Sequence, residues 1–166
     1  LVGSEPVAVL LADDLILGAS CVKEMVDAYK GGNMVAVMDV PHEQTGSYGI
    51  VTPGADDGRI LLVEGLVEKP DPSSAPSNIA VVGRYIITPE VFETLAAQER
   101  GAGGEIQLTD ALAKQIGKAP FSGVRFSGER FDCGSRLGFL QANVAFGLNN
   151  DAMRDQIRDW LGERLG

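Results

Sequence analysis

The chain has 166 residues, of which 45% are hydrophobic and 22% charged, and its formal net charge is −9. This composition is typical of a globular domain that buries a core, not of a disordered chain. The acidic balance argues against a nucleic acid or an anionic membrane surface as partner, because both reward clustered Lys and Arg. No apolar run reaches the length of a membrane span and no secretory leader pattern opens the chain, so we expect a cytoplasmic protein.

The N-terminal part predicts a strand, a helix and a second strand. Residues 7–11 form a continuous apolar run, which indicates a strand covered on both faces. Apolar residues at helical spacing follow Ser20, a plausible N-cap, as far as Gly31, and a second apolar strand spans 34–40. We expect these elements to form a parallel βαβ unit. Because the chain begins almost inside a strand, we also expect a fragment, or a protein whose earlier part lies outside this sequence.

The middle of the chain predicts an antiparallel hairpin. A loop over 41–47 leads into a short strand over 48–53, and the Asp-Asp-Gly-Arg turn at 56–59 leads into a long strand over 60–69. A turn-rich loop then precedes a strand over 79–87.

The remaining segments alternate between helices and a strand. Thr88-Pro89-Glu90 predicts the start of a helix that runs to about Gln98. The later predicted elements are a glycine-rich loop over 101–105, a helix from Thr109, a strand over 121–126, a turn over 131–134, a helix over 135–147 and a last helix from about Asn149. We therefore divide the chain into a domain part over 1–148 and a C-terminal amphipathic helix over 149–166.

One short stretch places an acid and a base side by side at the end of a strand. Successive strand residues point to opposite faces, so Glu68 and Lys69 share one side only if the strand ends there. Pro70 supplies that end. The arrangement suits a polar ligand that carries both hydroxyls and an anionic group.

Carboxylates follow two of the predicted strands. Asp13 and Asp14 come after the first strand, where open α/β sheets bind their ligands, and Mg²⁺ takes one or two protein carboxylates together with substrate phosphates. Asp132 follows another predicted strand and would meet Asp13 at the same sheet edge. The alternatives are a solvated acid pair that caps a turn and, for Asp132 before Gly134, an ordinary turn residue.

Other polar candidates are weaker. Gly49, in the run Gly-Ser-Tyr-Gly, offers a backbone unshielded by a Cβ atom, and its alternative is an ordinary hairpin entry. Cys21 and Cys133 belong to no metal or disulfide pattern, so we expect reduced, structural cysteines. His42 lies in a polar loop and is expected to be solvated.

Several longer runs resemble a known family. GLVEKPDPSSAPSNIAVVGRYIITPEVF followed by GAGGEIQLTDAL closely resembles bacterial UTP-glucose-1-phosphate uridylyltransferases, and AVLLADDLI, TGSYGIV and RFDCGSRLGFLQANVAFGL follow the same family in the same order. The resemblance implies an α/β fold with a Rossmann-like mixed sheet flanked by helices, of the nucleotidyltransferase type. It also implies transfer of a uridylyl group from UTP to glucose 1-phosphate, with Mg²⁺ as cofactor and a homo-oligomeric assembly.

The resemblance assigns roles residue by residue. Asp13 and Asp132 would hold Mg²⁺, and Lys69 would hold the phosphates, which makes Asp13 and Lys69 the catalytic candidates. Gly49 and Val81 would contact glucose through their backbones, and Glu68 would accept hydrogen bonds from its hydroxyls.

The family's N-terminal Gly-rich nucleotide loop is absent, so the chain resembles the sugar-binding and C-terminal portion of such enzymes. Two alternatives stay open: a thymidylyltransferase acting on the same sugar phosphate, and a non-catalytic sugar-phosphate-binding or assembly fragment.

Overall fold

A computed structural model describes residues 3–97 and 106–166 of the chain. The predicted loop over 101–105 and the predicted helix end at Gln98 lie outside the described residues. The strands are β1 (Val7–Leu10), β2 (Asp14–Leu17), β3 (Asn33–Asp39), β4 (Gly49–Asp56), β5 (Ile60–Glu68), β6 (Ile79–Ile87), β7 (Phe121–Arg125) and β8 (Glu129–Asp132). The helices are α1 (Cys21–Ala28), α2 (Pro89–Ala97), α3 (Leu108–Ala113), α4 (Arg136–Leu148) and α5 (Arg154–Leu165), with short 3-10 turns at His42–Ser47 and Pro72–Ser74.

The chain divides into two compact units. The larger unit comprises Leu1–Leu10 and Cys21–Phe126, and the smaller unit comprises Leu11–Ser20 and Ser127–Gly166. The bounds of these two units differ from the predicted boundary between 148 and 149. That boundary stays a prediction. No helix in the described parts of the chain is long and apolar enough to cross a membrane.

The larger unit is built on a mixed six-stranded sheet in the order β1-β6-β3-β7-β5-β4. The β3–β7 pair is parallel and the other neighbours are antiparallel. The start of β4 also pairs with β6, through Ile50 and Ala80. The predicted α/β class with a mixed sheet is confirmed, and so is the hairpin formed by β4 and β5.

The predicted βαβ unit is wrong in one respect. Strands β1 and β3 both run antiparallel to β6, which lies between them, so they point the same way without being neighbours. Helix α1 therefore connects two strands that have β6 inserted between them. Only the distant β6 segment determines this arrangement.

Strand β1 is not covered on both faces, contrary to expectation. Its residues alternate between partly buried and exposed, and Leu10 is 53% exposed. In the described part of the sheet β1 pairs only with β6, so it lies at an edge. A short apolar run therefore does not distinguish an edge strand from a central one.

The core of the larger unit lies around β6, all nine residues of which are buried. This strand is flanked by β3 on one side and by β1 and β4 on the other, which explains its nearly continuous apolar sequence. Helices α2 and α3 contribute Val91 and Leu112, both fully buried, to the same apolar cluster.

The smaller unit joins a two-stranded antiparallel sheet, β2 with β8, to helices α4 and α5. Phe131 of β8 packs edge-on against Phe146 of α4, with ring centroids 6.4 Å apart. The predicted turn over 131–134 is thus partly wrong, because its first two residues end β8. Helix α4 begins after Ser135, whose hydroxyl accepts a hydrogen bond from the Gly138 amide, as expected for an N-cap.

The last helix begins at Arg154 and not near Asn149, because residues 149–153 form a turn after α4. None of its described residues is buried. The predicted apolar face exists in sequence, but Trp160 is 50% exposed and Leu165 84% exposed.

Candidate active site

Three of the predicted sugar contacts lie on neighbouring strands of the larger unit. Gly49 at the start of β4 pairs with Glu68 at the end of β5. On its other side β4 meets β6 through Ile50 and Ala80, which sets Val81 beside Gly49 in an antiparallel register. The sheet therefore brings Gly49, Glu68 and Val81 together from positions up to 32 residues apart in sequence.

The space beside Gly49 lies between a carboxylate and a hydroxyl. A Cβ atom built on Gly49 would lie 3.3 Å from Glu68 Oε2 and 3.3 Å from Thr109 Oγ1. Glycine leaves this small volume open, with two polar groups directed toward it. Thr109 was not predicted from the sequence as a site residue, because its only local signal was the start of a helix.

The end of β5 places two opposite charges on one side. The strand ends at Glu68, one residue before the predicted end at Lys69, and Lys69 has a φ of +43°, the one positive φ of a non-glycine residue in the described chain. The Lys69 amide donates to the Tyr48 carbonyl at 2.9 Å, and the following Pro70 is buried. Lys69 Nζ then lies 3.7 Å from Glu68 Oε1, with the lysine side chain 60% exposed.

Strand β6 is bulged directly after Val81. Val37 of β3 pairs with Val81, and Val35 pairs with Tyr85, so three β6 residues lie opposite one β3 residue. Beyond this bulge the free edge of β6 pairs with β1, whereas before it β6 meets β4. A bulge that changes the partner of a strand frequently borders a site, because it re-aims the local backbone.

The two predicted metal carboxylates also lie together, in the smaller unit. The Cys133 amide donates to the Asp13 carbonyl at 2.7 Å. A Cβ atom built on Gly134 would lie 3.1 Å from Asp132 Oδ1 and 3.3 Å from Asp13 Oδ2. Both carboxylates therefore border the same opening beside Gly134.

The position of this pair differs from the expectation. Asp13 and Asp132 were predicted to meet at an edge of the main sheet, after β1. They meet instead at the β2–β8 pair, where Asp14 lies opposite Asp132. The sequence did not indicate β2, because four residues between a strand and a helix give too short a pattern.

This pair fits a hard divalent cation. Within the described residues, no group of three or more His, Cys, Asp or Glu side chains could hold a metal ion. Two carboxylate oxygens nevertheless suit Mg²⁺, which commonly keeps several waters and binds one or two protein carboxylates with substrate phosphates. Gly134 lacks the Cβ atom that would fill the opening between them.

Asp14 is excluded from this role by its own partner. It is 5% exposed and forms an ion pair with Arg130, whose side chain is 12% exposed. The predicted alternative of a solvated acid pair is therefore wrong for Asp14.

The cysteine thiols and the histidine ring were not predicted as site residues. Both cysteines are free, as expected, and burial raises the pKa of the Cys21 thiol to about 11. His42 is exposed, with its Nδ1 3.0 Å from Asn78 Oδ1.

Known proteins with similar sequences agree with the resemblance seen in the motifs. The family model described as "Nucleotidyl transferase" matches residues 1–147. The UTP-glucose-1-phosphate uridylyltransferase of Komagataeibacter xylinus is 50% identical over 96% of this chain and 55% of its own length. That of Staphylococcus haemolyticus is 39% identical over 98% of this chain and 57% of its own length.

A solved structure shows the same fold. The UTP-bound UGPase from Acinetobacter baumannii superimposes with a TM-score of 0.85, at 32% identity, over 98% of this chain and 57% of that one. The chain spans slightly more than half the length of the curated relatives it matches. With the family model covering nearly the whole sequence, the chain belongs to the nucleotidyl transferase family.

Proposed function

We propose that this chain serves a UTP-glucose-1-phosphate uridylyltransferase, which joins UTP and glucose 1-phosphate to give UDP-glucose and pyrophosphate. The observation that carries the proposal is the juxtaposition of Gly49, Glu68 and Val81 on three neighbouring strands, with Lys69 at the same strand end. The names of the relatives at 39% and 50% identity support the choice of reaction.

The larger unit would bind the sugar phosphate. Glu68 accepts hydrogen bonds from glucose hydroxyls, and Thr109, on the other side of the Gly49 opening, adds a hydroxyl that both donates and accepts. The backbones of Gly49 and Val81 approach the sugar ring. Lys69 offers its exposed ammonium to the phosphate, which a chain of net charge −9 otherwise repels.

In the smaller unit, Asp13 and Asp132 would hold Mg²⁺. When bound, this ion neutralises charge on the reacting phosphates. The chemistry is an in-line attack of the sugar phosphate oxygen on the α-phosphorus of UTP, which requires positioning and charge neutralisation without a covalent enzyme intermediate. Accordingly Glu68 orients the sugar and is not assigned as a base.

Two other functions are distinguishable by base preference and by turnover. A thymidylyltransferase would use the same sugar site, so preference for the base separates it from the proposed enzyme. A sugar-phosphate-binding or assembly fragment would bind glucose 1-phosphate without turnover. The relatives named as uridylyltransferases favour uridylyl transfer over both.

Assembly and location follow the same proposal. We infer a homo-oligomer, because α4 and α5 expose large apolar side chains, with Leu137 66% and Trp160 50% exposed. Sedimentation of a monomer at micromolar concentration would contradict this. The two free cysteines agree with a cytoplasmic, reducing location.

The test is calorimetric titration of this chain with glucose 1-phosphate and, separately, with UTP. We expect Lys69→Ala to weaken glucose 1-phosphate binding by about 10- to 100-fold, the effect of losing one charge-assisted contact. Lys23→Ala is the matched control, because Lys23 pairs with Asp27 on the exposed face of α1. Equal affinity of wild type and Lys69→Ala would reject the role of Lys69, and absence of sugar-phosphate binding would reject the proposed site.

A further inference from the structure

The ion pair between Asp14 and Arg130 lies beside the two carboxylates proposed to hold Mg²⁺. It links β2 to β8, and both side chains are almost entirely removed from solvent. A buried charge pair is costly to desolvate, so it is weak evidence for stability by itself. Its position in the smaller unit indicates a role other than stability.

The register of the two strands connects this pair with both metal carboxylates. Asp14 is the sequence neighbour of Asp13 and lies directly opposite Asp132. Arg130 lies two residues before Asp132 on β8, so the two side chains leave the same face of that strand. The ion pair therefore holds β2 at its start, directly after Asp13, and holds β8 near its end at Asp132.

A second link, between backbone atoms, joins the residues that flank the two strands. The Cys133 amide donates to the Asp13 carbonyl at 2.7 Å, one residue after Asp132. The β2–β8 pair is only four residues long, and its backbone ladder alone leaves the register weakly determined. A slip of one residue would move Asp132 to the opposite face.

We propose that the Asp14–Arg130 ion pair is a positioning clamp that sets the spacing of the Asp13 and Asp132 carboxylates for a divalent cation. The proposal rests on the proposed function, since it requires these two carboxylates to hold the metal. Arg130 suits the clamp because its planar guanidinium fixes direction as well as charge. Asp14 also neutralises the charge of the Arg130 guanidinium.

The test measures Mn²⁺ binding to the full chain, with free Mn²⁺ counted by electron paramagnetic resonance. Loss of a group that orients metal ligands typically weakens metal binding by about 10- to 100-fold, and we expect this for both Asp14→Asn and Arg130→Gln. Arg130→Lys keeps the charge without the planar fork and should fall between them and the wild type. Asp27→Asn, which breaks the exposed Lys23–Asp27 pair, is the control and should bind Mn²⁺ as the wild type does.

Amide hydrogen exchange gives a readout that needs no metal. In the clamp variants the Cys133 amide should exchange faster, while the Lys69 amide, bonded to the Tyr48 carbonyl in the larger unit, should keep its wild-type rate. Unchanged exchange at Cys133 in both variants would overturn the clamp even if Arg130→Gln lowered the yield of folded protein.

The outcomes separate the clamp from the metal site itself. If Asp13→Asn abolishes Mn²⁺ binding while Asp14→Asn and Arg130→Gln leave it unchanged, the clamp is overturned and the metal site stands. If Asp14→Asn weakens binding but Arg130→Gln strengthens it, simple charge explains the result and positioning is overturned. If the wild type binds no Mn²⁺, the metal site and the clamp both fail.

Discussion

The substitution Gly49→Ala tests the sugar site with a single methyl group. The added Cβ would lie 3.3 Å from both Glu68 Oε2 and Thr109 Oγ1, a few tenths of an ångström inside ordinary contact. Two side-chain ends absorb such a shift easily, so we expect the free energy of unfolding to change by less than about 1 kcal/mol. The methyl group nevertheless occupies the opening that the sugar would enter. Displacing one hydroxyl from the Glu68 carboxylate costs about 1.5–3 kcal/mol, the value of a hydrogen bond to a charged group.

That free energy corresponds to a Kd for glucose 1-phosphate raised by about 10- to 100-fold. Calorimetric titration measures it directly, and thermal unfolding of the same sample reports the fold. Gly162→Ala is the matched control, because no atom lies within 4 Å of the added Cβ on that helical residue. A Kd for Gly49→Ala within about twofold of the wild type, with both variants folded, would refute the placement of the sugar beside Gly49.

Three further predictions address the rest of the molecule. Gly134→Ala would place a methyl group 3.1 Å from Asp132 Oδ1. We therefore expect weaker Mn²⁺ binding and unchanged glucose 1-phosphate binding. Equal loss of both would show a general effect on folding. At pH 8 a thiol reagent should label Cys133 before Cys21, because burial raises the pKa of the Cys21 thiol from 9.0 to about 11. Mass spectrometry identifies the labelled residue. Between pH 9 and 11 the unfolded chain loses the Cys21 proton first, so the free energy of unfolding should fall as the pH rises; a flat profile in urea titrations would contradict this.

Local patterns predicted the elements that local chemistry determines. The Asp-Asp-Gly-Arg turn predicted the hairpin, Thr88-Pro89-Glu90 predicted the start of α2, and Ser135 predicted the start of α4. The end of β5 was predicted from Pro70 to within one residue, at Lys69 instead of Glu68. In each case the residues that stop or cap the element are adjacent to it in sequence.

Local patterns did not predict which strands pair over long distances in sequence. The insertion of β6 between β1 and β3 depends on a strand that lies 40 residues after β3 has ended, as counted from Asp39 to Ile79. The β2–β8 pair depends on two short segments more than a hundred residues apart, each too short for a periodic pattern. Thr109 became a site candidate only when α3 brought its hydroxyl to Gly49. The candidate residues were thus proposed individually from the sequence, whereas their grouping into two units required the fold.

The backbone at Lys69 bears on why a lysine occupies the strand end. A non-glycine residue in the left-handed region costs about 1–3 kcal/mol and persists only when its surroundings determine it. Here the Tyr48 carbonyl and the buried Pro70 hold the conformation from both sides. Glycine would adopt the same φ without that cost, so the backbone gives no reason for lysine at this position. The Lys69 ammonium lies 3.7 Å from the Glu68 carboxylate with the lysine side chain 60% exposed, which agrees with the proposed role of Lys69 in binding an anionic ligand.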